Sequence, residues 1–492
     1  MPNKPLFSDY EPVTRPKASR DSNPEVDERG WSHYRPKHEG SDSEPESSIV
    51  GSRPEADVAT SSSLVTSASP QKAKWLLQRG HTVSFVGLLL FTFVLYFRPY
   101  EWSASLSWLS SSAFLIATFT LVVFIPTQLA LENRITVRPR ELYLVLFLLL
   151  ASLLSLPLAL DRLRVWNGFL AYLKVVLMFI VMINVVRTER RLKALFVIVL
   201  MASCVLSVFA LNDYRLGKLA LRGQRIEGII GGMFENPNDL ALHLVTMIPI
   251  AVVLVPASSA LPRKLFYGAC AALAVVGLVP TFSRGGFVGF ACAGAVLVWR
   301  LSRRYKALVL LLLPLMLVLL ILVAPSGYGN RLATTGDDST VARTDDLKRS
   351  LLIAARHPLF GVGMENYALY SNSEHATHNA YTQVASELGL TAAVVYVLFL
   401  VAPLKQLRRI SRETESGRSR SRFFYLSAGL EASLIGFMVC SFFASVAYLW
   451  YAYYLVAYAI CLRQLHDSEK ARQSKKIAYG VVKSVEDSSL IR

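Results

Sequence analysis

Cysteine is scarce in this chain, and where it falls says more than how often. Cys204, Cys270, Cys292, Cys440 and Cys461 all lie inside or at the ends of apolar runs. None lies in a long polar loop, so neither a disulfide framework nor a zinc site is expected, and the five read as small core residues. Acid is equally sparse inside the apolar runs, where Glu431 is the clear case. Ion-coupled carriers usually place Asp, Glu or His near mid-membrane, so this scarcity weighs against a transporter. Also missing is the alternation of apolar and polar residues that would build a transmembrane barrel.

What the chain has is apolar length. Of 492 residues 53% are hydrophobic, against roughly 45–50% in an ordinary soluble domain. The excess is gathered into nearly uncharged runs long enough to span a hydrocarbon core, which needs about 20 residues at 1.5 Å each. Lipid offers backbone amides no partner, so such runs become helices. The expectation is an all-α, polytopic integral membrane protein of about twelve spans. They fall near 82–97, 106–131, 142–158, 166–186, 192–211, 238–255, 265–281, 284–300, 307–324, 389–404, 424–444 and 447–463. Residues 265–300 are too long for one crossing. Pro280, Ser283, Gly285 and Gly286 supply a break whose tip is Thr281–Phe282–Ser283–Arg284. Residues 424–463 also need dividing, with no equally plain breaker.

A net charge of +17 would suggest nucleic acid in a soluble protein. Here the basic residues cluster between apolar runs, and membrane topology explains them better. Arg134, Arg138 and Arg140 mark one loop, Arg187, Arg190, Arg191 and Lys193 the next on that side, then Arg263 and Lys264. Arg300, Arg303, Arg304 and Lys306 follow, and Lys405, Arg408, Arg409 and Arg412 with Arg418, Arg420 and Arg422 complete the set. The positive-inside rule puts these loops and both termini in the cytoplasm. Residues 1–75, rich in Ser, Pro and charge, are expected to be a disordered cytoplasmic tail without a cleavable signal; the membrane domain is 80–465, and 466–492 form a second tail.

This topology leaves two long segments, 212–237 and 325–388, on the outer face together with the 281–286 tip. Long connections in a compact domain are uncommon without a purpose. The first ends in Arg222, Arg225 and then Phe234–Glu235–Asn236–Pro237–Asn238. Asn236 at N-cap and Pro237 at N1 predict a helix start whose free N–H groups and positive dipole end suit an anion. Ser283–Arg284–Gly285–Gly286 presents a guanidinium between small residues, unless the arginine only snorkels to the interface. In the third stretch Gly361–Val362–Gly363 precedes His378–Asn379–Ala380–Tyr381 and Glu387–Leu388–Gly389. Thr377 is expected to cap a helix beginning at His378, whose dipole would favour the neutral imidazole, the form that accepts a proton. Lys174 lies about eight residues inside its span, where a buried cation is a functional candidate. His243 is expected to be a hydrogen-bonded core histidine, and Asp337, Asp338, Asp345 and Asp346 to be solvated loop acids.

Taken together, Phe234–Asn238, Ser283–Gly286, Gly361–Gly363 and the His378–Gly389 stretch resemble the O-antigen ligase family in order and spacing. That family overlaps with O-antigen polymerases and other bacterial enzymes joining lipid-linked glycans. The loop Tyr96–Phe97–Arg98–Pro99–Tyr100–Glu101–Trp102 is similar to that of members associated with exopolysaccharide or exosortase gene sets. The resemblance implies a GT-C-like bundle and a metal-independent glycosyltransferase without cofactors. It would move a glycan from undecaprenyl-pyrophosphate to an acceptor hydroxyl at the periplasmic face. It assigns the acceptor's proton to His378 and the pyrophosphate to Arg225 and Arg284. Arg222 and Lys174 are further candidates, and Asn236, Asn238, Ser283 and Asn379 are supporting residues. Arginine suits that leaving group, being permanently charged and able to hold phosphate through paired hydrogen bonds. A polymerase, a small-anion transporter of bicarbonate type and a structural scaffold are the competing readings. No nucleic-acid partner is expected.

Overall fold

The computed structural model describes residues 70–489 except 103, 218, 221–224, 227–233, 235, 302–306, 308–309, 312–313, 315–317, 319–337, 372–376 and 416–420. In chain order the helices are α1 (Pro70–Phe97), α2 (Pro99–Trp102), α3 (Ser112–Glu132), α4 (Arg140–Leu154), α5 (Arg162–Val185), α6 (Glu189–Arg215), α7 (Pro237–Ala257) and α8 (Leu261–Leu278). They continue with α9 (Arg284–Arg300), α10 (Asp338–Arg356), α11 (Tyr367–Tyr370), α12 (Ala380–Leu388), α13 (Leu390–Glu415), α14 (Arg422–Cys440) and α15 (Trp450–Ser489). Among the described residues the exception to helix and irregular chain is a two-residue antiparallel ladder pairing Leu219 with Ile226 and Ala220 with Arg225.

Nine helices among the described residues are long and apolar enough to cross a membrane. They coincide with nine of the twelve runs read as spans. Of the other three, 284–300 is the 17-residue helix α9, 447–463 falls largely in the 40-residue α15, and 307–324 lies mostly outside the described residues. Residues 1–69, the bulk of the expected tail, lie outside them too.

The order of burial explains the arrangement. Every residue of α7 from Leu240 to Leu254 is buried, as is every residue of α15 from Tyr451 to Leu462. A helix that is apolar all round belongs at the centre. α14 packs against α7, α9 and α13, while α1 packs against α3, α5 and α6. Close approach depends on small residues, as in membrane bundles generally. A Cβ on Gly429 would stand 2.3 Å from the Val253 side chain, and one on Gly289 2.2 Å from Cys440 Sγ. On the periphery, α3 exposes Phe114, Leu115, Phe119 and Val122, and α4 exposes Tyr143, Phe147 and Leu150, the surface a lipid tail would meet. At the end carrying the basic loops, the interior charges are paired. Glu132 receives Arg187, Glu141 receives Arg463, and Glu431 receives both Arg300 and Arg408.

The expected break near residue 280 is present. α8 ends at Leu278, a single 3-10 turn runs Val279–Thr281, and α9 begins at Arg284. The second division falls at residues 441–449, a 3-10 turn (Ser441–Phe443) followed by irregular chain. The cysteines are free, three buried and two half-buried.

Candidate functional site

Asn236 caps α7 as its sequence predicts, its side chain accepting a hydrogen bond from the Asn238 N–H at 2.9 Å with Pro237 in the first turn. Ser283 caps α9 in the same manner, accepting from the Gly286 N–H at 3.2 Å. The Ser283 hydroxyl then donates to Asn238 Oδ1 at 2.9 Å. One buried hydroxyl therefore joins two helix starts that are 45 residues apart in sequence. Phe282, before the cap, is left-handed at φ 43, which turns the chain sharply and puts Arg284, half-buried, at the first position of α9. The glycines after it permit contact. A Cβ on Gly286 would stand 2.7 Å from Ala241 on α7, and one on Gly285 2.6 Å from the Phe443 ring.

The His378 segment is positioned by a glycine strap. The Val362 N–H donates to the Ser386 carbonyl at 2.9 Å and the Gly363 N–H to the Glu387 carbonyl at 3.0 Å, so Gly361–Val362–Gly363 lies against the C-terminal turn of α12. Gly361 has φ 65, and a Cβ there would stand 2.3 Å from the Glu387 carbonyl carbon. At its other end α12 begins two residues later than expected. Asn379, not Thr377, is the N-cap, accepting from the N–H groups of Tyr381 and Thr382 at 2.9 and 3.1 Å. Both residues can cap, and the amide of Asn379 satisfies two orphan donors at once. His378 therefore precedes the helix, half-buried and left-handed at φ 50. Lying before the helix, His378 is not in the first turn, so the expected effect of that position on its imidazole does not apply. A non-glycine residue at positive φ is uncommon and is a mark of functional sites.

What links these pieces is a stretch that sequence reasoning did not single out, Met438–Ala447, the last residues of α14 and the turn after it. The Tyr381 hydroxyl donates to the Met438 carbonyl at 2.8 Å and receives one from Ser441 at 3.2 Å. The Phe442 ring lies 4.4 Å from that of Tyr381, and Thr377 Oγ1 and Ser445 Oγ are 3.1 Å apart. Phe443 and Cys440, on the same stretch, reach Gly285. The Ser283–Gly286 and Thr377–Tyr381 segments thus meet the same stretch, and Asn238 meets the first of them. The strand Arg225–Ile226 packs against the Val279–Thr281 turn, which brings the backbone of Arg225 to this end. The side chain of Arg225, and Arg222 altogether, lie outside the described residues.

The remaining candidates sort differently. Lys174 is exposed, not buried as expected. It shares one face of α5 with Arg164, Asn167 and Ala171, all exposed at three- and four-residue steps. His243 is a core histidine as expected, its Nε2 2.9 Å from Ser203 Oγ and its ring against Tyr96 and Phe234. The loop-acid reading fails for Asp346. The stretch from Asp338 is the helix α10, and Asp346 is buried, its carbonyl accepting from the Tyr367 hydroxyl at 3.0 Å.

At the base of α12 lies a buried carboxyl, Glu387, within electrostatic reach of the exposed Glu365. Glu387 is 3% exposed, and burial pushes its carboxyl up to about 8, helped by the nearby Glu365 and opposed by backbone N–H groups of Glu365 and Tyr367. Partial desolvation by the surrounding chain also raises Glu365, with Arg164 working against it. Glu365 is itself left-handed at φ 59, and the next residue, Asn366, ties the strap to the α5 start by donating to the Asp161 carbonyl at 3.1 Å and accepting from its N–H at 2.9 Å.

Comparison with known proteins adds a family. Residues 269–397 match the family described as O-Antigen ligase. The matched stretch contains the 279–283 turn, Ser283–Gly286, the glycine strap and the His378–Gly389 segment, and stops short of Arg225 and the α7 cap. No curated protein matches the chain.

Proposed function

We propose, from the premise that this multi-pass membrane protein carries an O-antigen ligase domain, that it transfers a glycan from undecaprenyl-pyrophosphate to an acceptor hydroxyl. The reaction would run at the extracytoplasmic mouth of a twelve-span, GT-C-like bundle with both termini in the cytoplasm. The observation that carries this reading is the meeting of the α9 start and the His378 segment on the Met438–Ala447 stretch, with Asn238 in the first turn of α7 accepting a hydrogen bond from Ser283 of the former at 2.9 Å. An anion site, a guanidinium and an imidazole are the parts such a transfer needs.

In this reading the neutral imidazole of His378 takes the proton of the acceptor hydroxyl as its oxygen attacks the anomeric carbon. The bond from that carbon to the phosphate oxygen breaks, and the lipid pyrophosphate leaves with the electron pair. Arg284, Arg225 and Arg222 hold the charge that develops on it, and the N–H groups at the α7 and α9 starts add fixed dipoles. No metal ion is assigned a part. Asn236, Asn238, Ser283 and Asn379 set the helix starts that carry these groups. Lys174, on the exposed face of α5, is assigned to the donor as it arrives from the bilayer.

The test uses purified protein with lipid-linked glycan and candidate acceptors. General-base catalysis is worth about 10²–10⁴-fold, so His378→Ala is expected to cut glycan transfer by at least about a hundredfold. Arg284→Ala should do likewise. Lengthening of the donor's glycan in place of its movement to a different acceptor would make the enzyme a polymerase. Full turnover by both variants would end the proposal.

A further inference from the structure

At the opposite end of the bundle, helices α9 and α13 both pack on α14 and leave a groove between them. α13 supplies one wall. Its exposed stripe is apolar through Leu390, Val394, Leu398 and Val401 and then turns basic at Lys405, Arg408, Arg409 and Arg412. The spacing keeps these residues on one side of the helix, so the same face passes from hydrocarbon to headgroup depth within one turn. A cavity of about 800 Å³ is lined there by Val401, Leu404, Lys405, Arg408, Arg409 and Arg412. A second, of about 300 Å³, continues across Arg408 and Arg412 to Trp299, Arg300, Glu431 and Ile435. Trp299, on α9, is 85% exposed at the rim, where an indole belongs at a membrane interface.

The charges in the groove do not balance. Arg300, Lys405, Arg408, Arg409 and Arg412 face Glu413 and Glu431, five cations against two carboxylates. Glu431, 3% exposed, fixes Arg408 through its Nε at 2.7 Å and Arg300 at 2.9 Å. Glu413 is occupied by Arg409 at 2.7 Å and Lys470 at 3.0 Å. No acidic partner of Lys405 or Arg412 occurs among the described residues. Simple snorkelling would spread such residues along a convex surface; here a buried carboxylate holds two guanidiniums in a concave site with apolar walls leading into the bilayer.

We infer that this groove binds an anionic phospholipid from the leaflet on the side of the basic loops, its phosphate between Arg408, Lys405 and Arg412 and its acyl chains along Val401, Val394 and Leu390. The site stands apart from the glycan-transfer residues and does not depend on the reading given to them. Each basic residue near an anionic surface contributes about fivefold, so the Lys405→Gln, Arg412→Gln double variant should retain such a lipid about 30-fold less well.

The experiment is native mass spectrometry of the full chain, delipidated and then offered phosphatidylglycerol, cardiolipin or phosphatidylcholine. Wild type should retain the two anionic lipids over phosphatidylcholine, and the double variant should lose that preference while melting as the wild type does. A photoreactive phosphatidylglycerol should label α9 and α13 in the wild type, a readout that holds even if the double variant fails to fold. Equal retention of phosphatidylcholine, an undiminished double variant, labelling elsewhere, or displacement by inorganic phosphate alone would each overturn the inference.

Discussion

Two glycines with nearly the same backbone show how much of a residue's importance lies in its neighbours. Gly217 has φ 66 with nothing among the described residues within 4 Å of a Cβ, and Gly361 has φ 65 with the Glu387 carbonyl carbon at 2.3 Å. Alanine at 217 therefore meets only the left-handed penalty of about 1–2 kcal/mol. At 361 it must also push the glycine strap off α12, breaking the contacts that seat the helix following His378. Thermal unfolding in detergent is expected to show a small loss for Gly217→Ala and loss of folded protein for Gly361→Ala. Ser283 makes a second contrast. Its hydroxyl caps α9 and donates to Asn238, so Ser283→Ala should cost about 1–3 kcal/mol. Combined with Asn238→Ala the losses should fall short of additive, because the two residues share one bond. Strict additivity would mean that the bond does not couple the two helices.

At the scale of the element, α12 is held at its base by a carboxyl that prefers its proton. Glu387 titrates near 8 when folded, against 4.5 for a free glutamate. Between these values the folded chain keeps a proton that the unfolded chain releases, so stability falls as pH rises from about 4.5 to about 8 and levels off above. Glu387→Gln, which keeps the shape without the charge, should flatten that slope; a slope that survives the change would assign it to another group. The elements also show what a sequence can disclose. The α7 and α9 starts were legible because Asn236–Pro237 and Ser283–Arg284–Gly285–Gly286 carry strong local signals. The α12 start was misplaced by two positions because Thr377 and Asn379 are both good caps and only the fold decides between them. The turn at 441–449 contains neither proline nor glycine, so nothing local marked it as the meeting point of the site. Lys174 shows the converse: depth alone suggested burial, whereas Arg164 and Asn167 at helical spacing mark its side of α5 as the exposed one.

At the scale of the whole molecule, the two ends of the bundle differ in kind. One end gathers paired charges and the basic groove, where Glu132, Glu141 and Glu431 each hold arginines. The other holds the capped helix starts, the left-handed His378 and the strap, with Asn366 binding the α5 start to it. If basic loops face the cytoplasm, Glu415 at the end of α13 lies on that side and Ser371, after α11, lies on the other. The connection between them contains α12 and α13, and α13 is the crossing helix of the two. Cysteine introduced at Glu415 should then react with a membrane-impermeant maleimide only after inverted vesicles are made, and cysteine at Ser371 only in intact cells whose outer barrier is opened. The native cysteines are buried or half-buried, so the unmodified chain supplies the background. Labelling of both introduced thiols from one side would mean that α13 does not cross, and the site and the basic groove would then share a face of the membrane.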